Sequence, residues 1–244
     1  MLPRLIALVG VLISCLFPPS IAGAATGEVP IAEQFRGGKV EWTRLETSDH
    51  YWNRHSDGDG RLLRLLRANT SLNIDGIWHA ARASDLDSLC AYPFVYAADV
   101  SVLSDEEGRN LAEYLKRGGF LFVDCCINKG INKDPRVFLQ RQITLLTRHW
   151  PELRLVELEA KHPVFSIYFR FENGPPMTRE QGSWSMTENF PLWSLMAGDQ
   201  MVGMISLSGL QCAWAGVGVG KGRDEQPIEA MKMATNIYLY AMSR

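Results

Sequence analysis

The chain has 244 residues, 46% of them hydrophobic, enough apolar material to fill the core of one large domain. Its 25 Lys and Arg against 27 Asp and Glu give a formal net charge of −2, which excludes the basic footprint of a nucleic-acid binder. Too few cysteines, five in all, are present for a disulfide framework to organise a domain of this size.

The N-terminus sets Arg4 before the apolar run 5–17, then Pro18, Pro19 and the small-residue series Ala22-Gly23-Ala24. That order predicts a secretory signal peptide over 1–24, and hence a periplasmic or secreted protein. The apolar run is short for a bilayer crossing, which needs about 20 residues. Lipidation is the alternative, because Leu12-Ile13-Ser14-Cys15 matches the pattern at which bacterial lipoproteins are processed. The signal or a lipid on Cys15 would be the only link to a membrane. Loss of residues 1–24 removes Arg4 alone among the charged residues and takes the net charge from −2 to −3.

Residues 25–38 are small and polar and read as a mobile leader, with the ordered domain expected over 39–244. Along 40–45, Val40, Trp42 and Arg44 alternate with Glu41, Thr43 and Leu45, the period of a strand. A loop of turn formers follows, and then 61–69 sets Leu62, Leu65 and Leu66 against Arg61, Arg64 and Arg67, an amphipathic helix. A weak strand is expected near 77–81, a helix or turn over 83–89, and a strand over 94–98 ending at Asp99.

The clearest stretch is 104–128. Ser104 and Glu107 have capping-box spacing, Gly108, Leu111, Ala112 and Leu115 share a helical face, and Gly118-Gly119 ends the helix before the buried strand 120–123. Asp124, Cys125 and Cys126 follow that strand. Beyond them a helix is expected over 135–150, with Leu139, Ile143, Leu146 and Trp150 on one face, then strands over 153–158 and 201–207. Residues 175–191 carry too little pattern to assign, and a widely buried helix is expected over 228–242. Strands alternating with helices, with no linker or repeat, predict one α/β domain with a mostly parallel sheet and helices on both faces.

The stretches YPFVYAADVSVLSDEE, YLKRGGFLFVD, KHPVF, CAW and MKMATNIYLYAMSR, in this order and spacing, resemble the family called domain of unknown function 4159 over nearly all of 39–244. The resemblance implies a flavodoxin-like, class I glutamine-amidotransferase-like domain in an exported or membrane-linked bacterial protein with no established reaction. Some relatives resemble partners of MoxR-type ATPases and von Willebrand A domain proteins, an analogy only. Where the family typically has a second acid after its GGFL strand, this chain has Cys125. Where relatives have acids on either side of Ala-Trp, it has Cys212 and Ala215. The family's acid-lined pocket is therefore depleted here, which points away from catalysis.

In open α/β sheets the ligand crevice lies beyond the carboxyl ends of the strands. Asp99, Asp124, His162 and Trp214 are accordingly the expected wall of a site that binds a small molecule or an envelope protein without turning it over. A hydrolase or transferase using Asp124 or Cys126 with His162 is the competing reading, and a structural envelope component is the third. Cys125 or Cys126 beside a base could act as nucleophile, but DCCIN lacks the small flanking residues of a nucleophile elbow. Packed thiols and a disulfide from Cys212 to Cys125 or Cys126 are the other two possibilities.

His50, His55, Asp57 and Asp59 fit no metal-ligand spacing, and Asp57 or Asp59 is expected to cap the next helix instead. GVGVGKG at 216–222 lacks the first glycine and the final Ser or Thr of a phosphate loop. No cofactor or metal is expected. Of Trp52, Trp184, Trp193 and Trp214, one is expected as a binding platform and the rest in the core.

Overall fold

A computed structural model describes residues 37–100, 102–124, 134–176, 190–217 and 226–244 of the chain. Residues 1–36 with Cys15, the pair Cys125 and Cys126, Trp184 and residues 218–222 of the glycine-rich segment fall outside the described residues.

Seven strands form one sheet in the order β2-β1-β3-β4-β7-β6-β5. They are β1 (Lys39–Glu46), β2 (Asn73–Arg82), β3 (Phe94–Ala97), β4 (Phe120–Asp124), β5 (Leu153–Glu157), β6 (Leu192–Ala197) and β7 (Gln200–Ser206). Pairs β1/β2, β1/β3, β3/β4 and β4/β7 are parallel, and β6 runs against both its neighbours. After β1 the chain steps outward to β2 and then crosses back to β3, so the winding reverses between β1 and β3.

The helices are α1 (Asp59–Asn69), α2 (Leu86–Cys90), α3 (Asp105–Lys116), α4 (Pro135–Thr147), α5 (Leu210–Trp214) and α6 (Gln226–Ser243). One apolar layer joins α1, α5 and α6 to Trp42, Phe94, Tyr96, Phe120, Phe122 and Met204. The other joins α2, α3 and α4 to Leu45, Val95, Ala97, Leu121 and Val123. Strand alternation divides these side chains, because successive residues point to opposite faces. Arg44 therefore shares the α1/α5/α6 face with Trp42, as the sequence pattern requires.

Local chemistry explains the element ends. Ser104 caps α3 by accepting from the Glu107 N–H, Glu107 returns a bond from the Ser104 N–H, and Gly118 leaves the helix at φ 95°. Asp85 caps α2 and Asp134 caps α4, ahead of Pro135 at the first helical position.

Several expectations needed correction. Helix α4 ends before Trp150, and its buried positions are Phe138, Gln142 and Leu146, with Leu139 and Ile143 at the margin. Ile228, expected on the buried face of α6, is exposed. Strand β6 and helix α5 were not foreseen. The first is six residues beside Pro191 and is defined by its ladder to β7, and the second is one short turn entered through Gly209 at φ 66°. Neither is long enough to display a period.

Candidate functional site

Three neighbouring parallel strands deliver polar side chains to one place on the α1/α5/α6 face. Arg44 of β1 pairs in register with Tyr96 of β3, and Asp124 closes β4. Burying an arginine requires a counter-ion with its hydrogen bonds satisfied. Asp59, at the start of α1, supplies it: Arg44 Nε and Nη2 donate to its two oxygens at 2.6 and 2.8 Å, and neither side chain is exposed to solvent. Trp42 Nε1 and Trp214 Nε1 donate to the same carboxylate at 3.2 Å each. Arg44 Nη1 reaches the Trp52 and Arg54 carbonyls.

Asp57 or Asp59 was expected to cap the helix. The residue preceding α1 is instead Gly58, without a side-chain cap, and four donors occupy the Asp59 carboxylate. Gly58 permits this arrangement, because a Cβ there would lie 2.7 Å from Ala215 at the end of α5. Any larger residue would separate α1 from α5.

The second tier is Asp124. Its Oδ2 accepts from the Gln211 backbone N–H at 2.8 Å, and Gln211 Nε2 donates to the Arg54 carbonyl at 2.6 Å, the group that Arg44 also approaches. Tyr96 is fully buried between the Arg44 guanidinium, Phe122 and Trp214. Burial and then the negative charge of Asp124 push its hydroxyl well above the usual phenol range.

The third tier meets solvent. Ala97 pairs with Val123, so Asp99 and Asp124 leave adjacent strands, toward opposite faces of the sheet. Asp99 accepts from Arg141 Nη2 at 3.3 Å and from Gln142 Nε2 at 3.2 Å, while Gln142 Oε1 accepts from the Val100 N–H. Side-chain exposures of 18% for Asp99 and 36% for Arg141 make this the open rim of the β1/β3 reversal. On its β1 side, Glu107 accepts from the Ser48 N–H and hydroxyl and from the Ser104 N–H, joining the exit of β1 to the start of α3. Burial would raise the Glu107 carboxyl, but the bonds from Ser104 and Ser48 outweigh it and hold the group below the usual range.

Not all the expected wall residues converge. His162 packs on Tyr240 at 5.2 Å between ring centroids, and its Nδ1 accepts from the Val164 N–H. Tyr240 lines a groove of about 480 Å³ with Pro93, Gly118, Met201 and Arg244, at the starting ends of β3, β4 and β7. Asp124 sits at the finishing end of β4. The imidazole and carboxylate therefore lie toward opposite edges of the sheet, and the acid/base pair expected from Asp124 and His162 is not assembled. Burial lowers the His162 pKa.

Trp214 is a core residue bonded to Asp59 rather than a wall, and Trp52 stacks edge-on against Trp78. Cys212 is buried on α5, one residue from the N–H that binds Asp124. Its expected partners, Cys125 and Cys126, lie outside the described residues, as does the thiol nucleophile reading. Among the described residues, no three His, Cys, Asp or Glu side chains group as a metal site.

Sequence reasoning missed Arg44, Tyr96, Gln211 and the Glu107 tie to Ser48. One signal was available: an arginine in phase with Val40 and Trp42 on a strand must be buried with an acid. What the arrangement can do follows from its tiers. The inner pair has no remaining lone pair for proton transfer, whereas the rim, on the other face of the sheet, presents paired charge to solvent.

Residues 41–242 match the model of a family described as Domain of unknown function (DUF4159). No curated protein matches the chain.

Proposed function

The chain belongs to the DUF4159 family, whose description names no reaction, and we propose that it is an exported binding domain that holds a small molecule or an envelope partner at the carboxyl edge of its sheet without turning it over. The reading treats the domain as flavodoxin-like, because the order β2-β1-β3-β4 with reversal at β1/β3 is that of doubly wound sheets which bind at this crevice. Kinship with the glutamine-amidotransferase-like superfamily is the finer form of the same proposal. Export rests on the pattern of residues 1–24.

One observation carries the functional part: Asp99 and Arg141 stand part-exposed beyond β3, at the winding reversal, with the buried Gln142 bonded to Asp99 from beneath. Binding is favoured over turnover because His162, the base expected to act with Asp124, lies toward the other edge of the sheet.

Thermal unfolding of the purified protein against sugars, peptidoglycan fragments, small acids, amines and metal salts tests the proposal. A saturable rise that Asp99→Ala weakens supports it. If no compound stabilises the protein, the structural-component reading replaces it; if Asp99→Ala leaves the rise unchanged, the site is elsewhere.

A further inference from the structure

The groove of about 480 Å³ at the starting ends of β3, β4 and β7 lies at the opposite edge of the sheet from the Asp99 rim. Its volume suits a small molecule. Pro93, Met201, Met242 and the ring of Tyr240 make most of the wall apolar, and the polar groups on it are the Arg244 guanidinium, the Tyr240 hydroxyl and the Gln200 amide. Among the described residues no Asp or Glu lines it.

Arg244 is the group that calls for an explanation. Its Nε donates to the Ala241 carbonyl at 3.2 Å, Nη1 to the Met201 carbonyl at 2.9 Å and Nη2 to the Gly118 carbonyl at 2.8 Å. The guanidinium also lies 4.6 Å from the Phe120 ring centroid, so its head is held in place before any guest arrives. All of these partners are neutral. Burial lowers the pKa of this arginine, and the groups acting against burial are the phenols of Tyr114 and Tyr240 rather than a carboxylate. Among the described residues Arg244 forms no ion pair. A cation drawn out of water ordinarily has a counter-ion, as Arg44 has in Asp59.

We propose that this groove binds a monocarboxylate with a short apolar tail, its carboxylate on Arg244 and its tail against Met201 and Met242. The sign of the guest follows from what is left open. A guanidinium has five N–H hydrogens and no acceptor; three go to carbonyls and two remain. The Tyr240 hydroxyl likewise has no hydrogen-bond partner among the described residues. The guest must therefore accept. Its charge follows from the surroundings: the carbonyl end of α6 carries about half a negative unit, which the full charge of Arg244 exceeds. The surplus is less than one positive unit, so a monoanion matches it and a phosphate dianion does not. The tail follows from the walls, since methionine side chains adapt to an apolar body of any outline. This site and the Asp99 rim are separate, and either can fail alone.

Sodium hexanoate is the probe, titrated against the full chain at constant ionic strength with thermal unfolding as the readout. The expected result is a saturable stabilisation. Hexanamide, which lacks the charge, and acetate, which lacks the tail, should each bind about tenfold more weakly. Arg244→Gln should weaken hexanoate about tenfold and leave hexanamide unchanged. Methionine methyl NMR of the unmodified chain locates the guest whether or not that variant folds, and hexanoate should shift Met201 and Met242. No response to hexanoate, or equal affinity for hexanoate and either control, overturns the proposal. So does an unchanged hexanoate response in Arg244→Gln, or methyl shifts confined to other methionines.

Discussion

Asp59 holds Arg44 by both carboxylate oxygens, at 2.6 and 2.8 Å, with neither side chain reaching solvent. Removing one partner of such a pair leaves the other charged, buried and uncompensated. Asp59→Ala should therefore cost about 3–5 kcal/mol in urea unfolding, and the double variant Arg44→Met/Asp59→Leu should recover much of that loss. A cost below about 1 kcal/mol for the single variant would mean that water or another group reaches Arg44.

Asp124 and His162 should behave as strangers. Asp124→Ala strands the Gln211 N–H and should cost about 1–3 kcal/mol. Because no described contact joins the two side chains, a double-mutant cycle with His162→Ala should be additive within about 0.5 kcal/mol. Coupling well above that would restore the acid/base reading.

Asn236 clamps the segment after His162. Its amide nitrogen donates to the Val164 and Phe169 carbonyls at 2.8 and 2.7 Å, and its oxygen accepts from the Phe169 N–H at 2.9 Å. Asn236→Leu should speed hydrogen exchange at the Phe169 amide selectively and destabilise the protein by about 2–3 kcal/mol. Unchanged exchange at Phe169 would show that the segment is held by other contacts.

Acid sensitivity should include Glu107. Its folded pKa lies below the unfolded value of about 4.3, so its ionised form stabilises the fold fully above that pH. The contribution is lost as pH falls through the lower folded pKa. Glu107→Gln should flatten the acid limb of the stability curve in that interval, measured by urea unfolding at stepped pH. An unaltered limb would exclude the carboxylate.

The thiols can be read by mass spectrometry of the non-reduced protein. Cys212 follows the residue whose N–H bonds Asp124, and Asp124 immediately precedes Cys125, so a link from Cys212 to Cys125 or Cys126 is the proposed pairing. Four reduced cysteines beyond residue 24 would remove it.

Much of the secondary structure was legible without coordinates, because its causes are local. The capping box of Ser104 and Glu107, the left-handed exit at Gly118 and the alternation through Val40, Trp42 and Arg44 each involve residues within a few positions of one another. The α/β class followed from the alternation of such elements. Partnerships across long separations were not legible. Arg44 with Asp59, Trp214 with Asp59 and Gln211 with Asp124 are created by strand order and by the approach of α1 to α5 at Gly58. For the same reason His162 and Asp124, both plausible as site residues in one dimension, part company in three. Residue type and period determine what each segment becomes, whereas only the packing of one segment on another decides which buried charge meets which, since that contact is specified by neither partner alone.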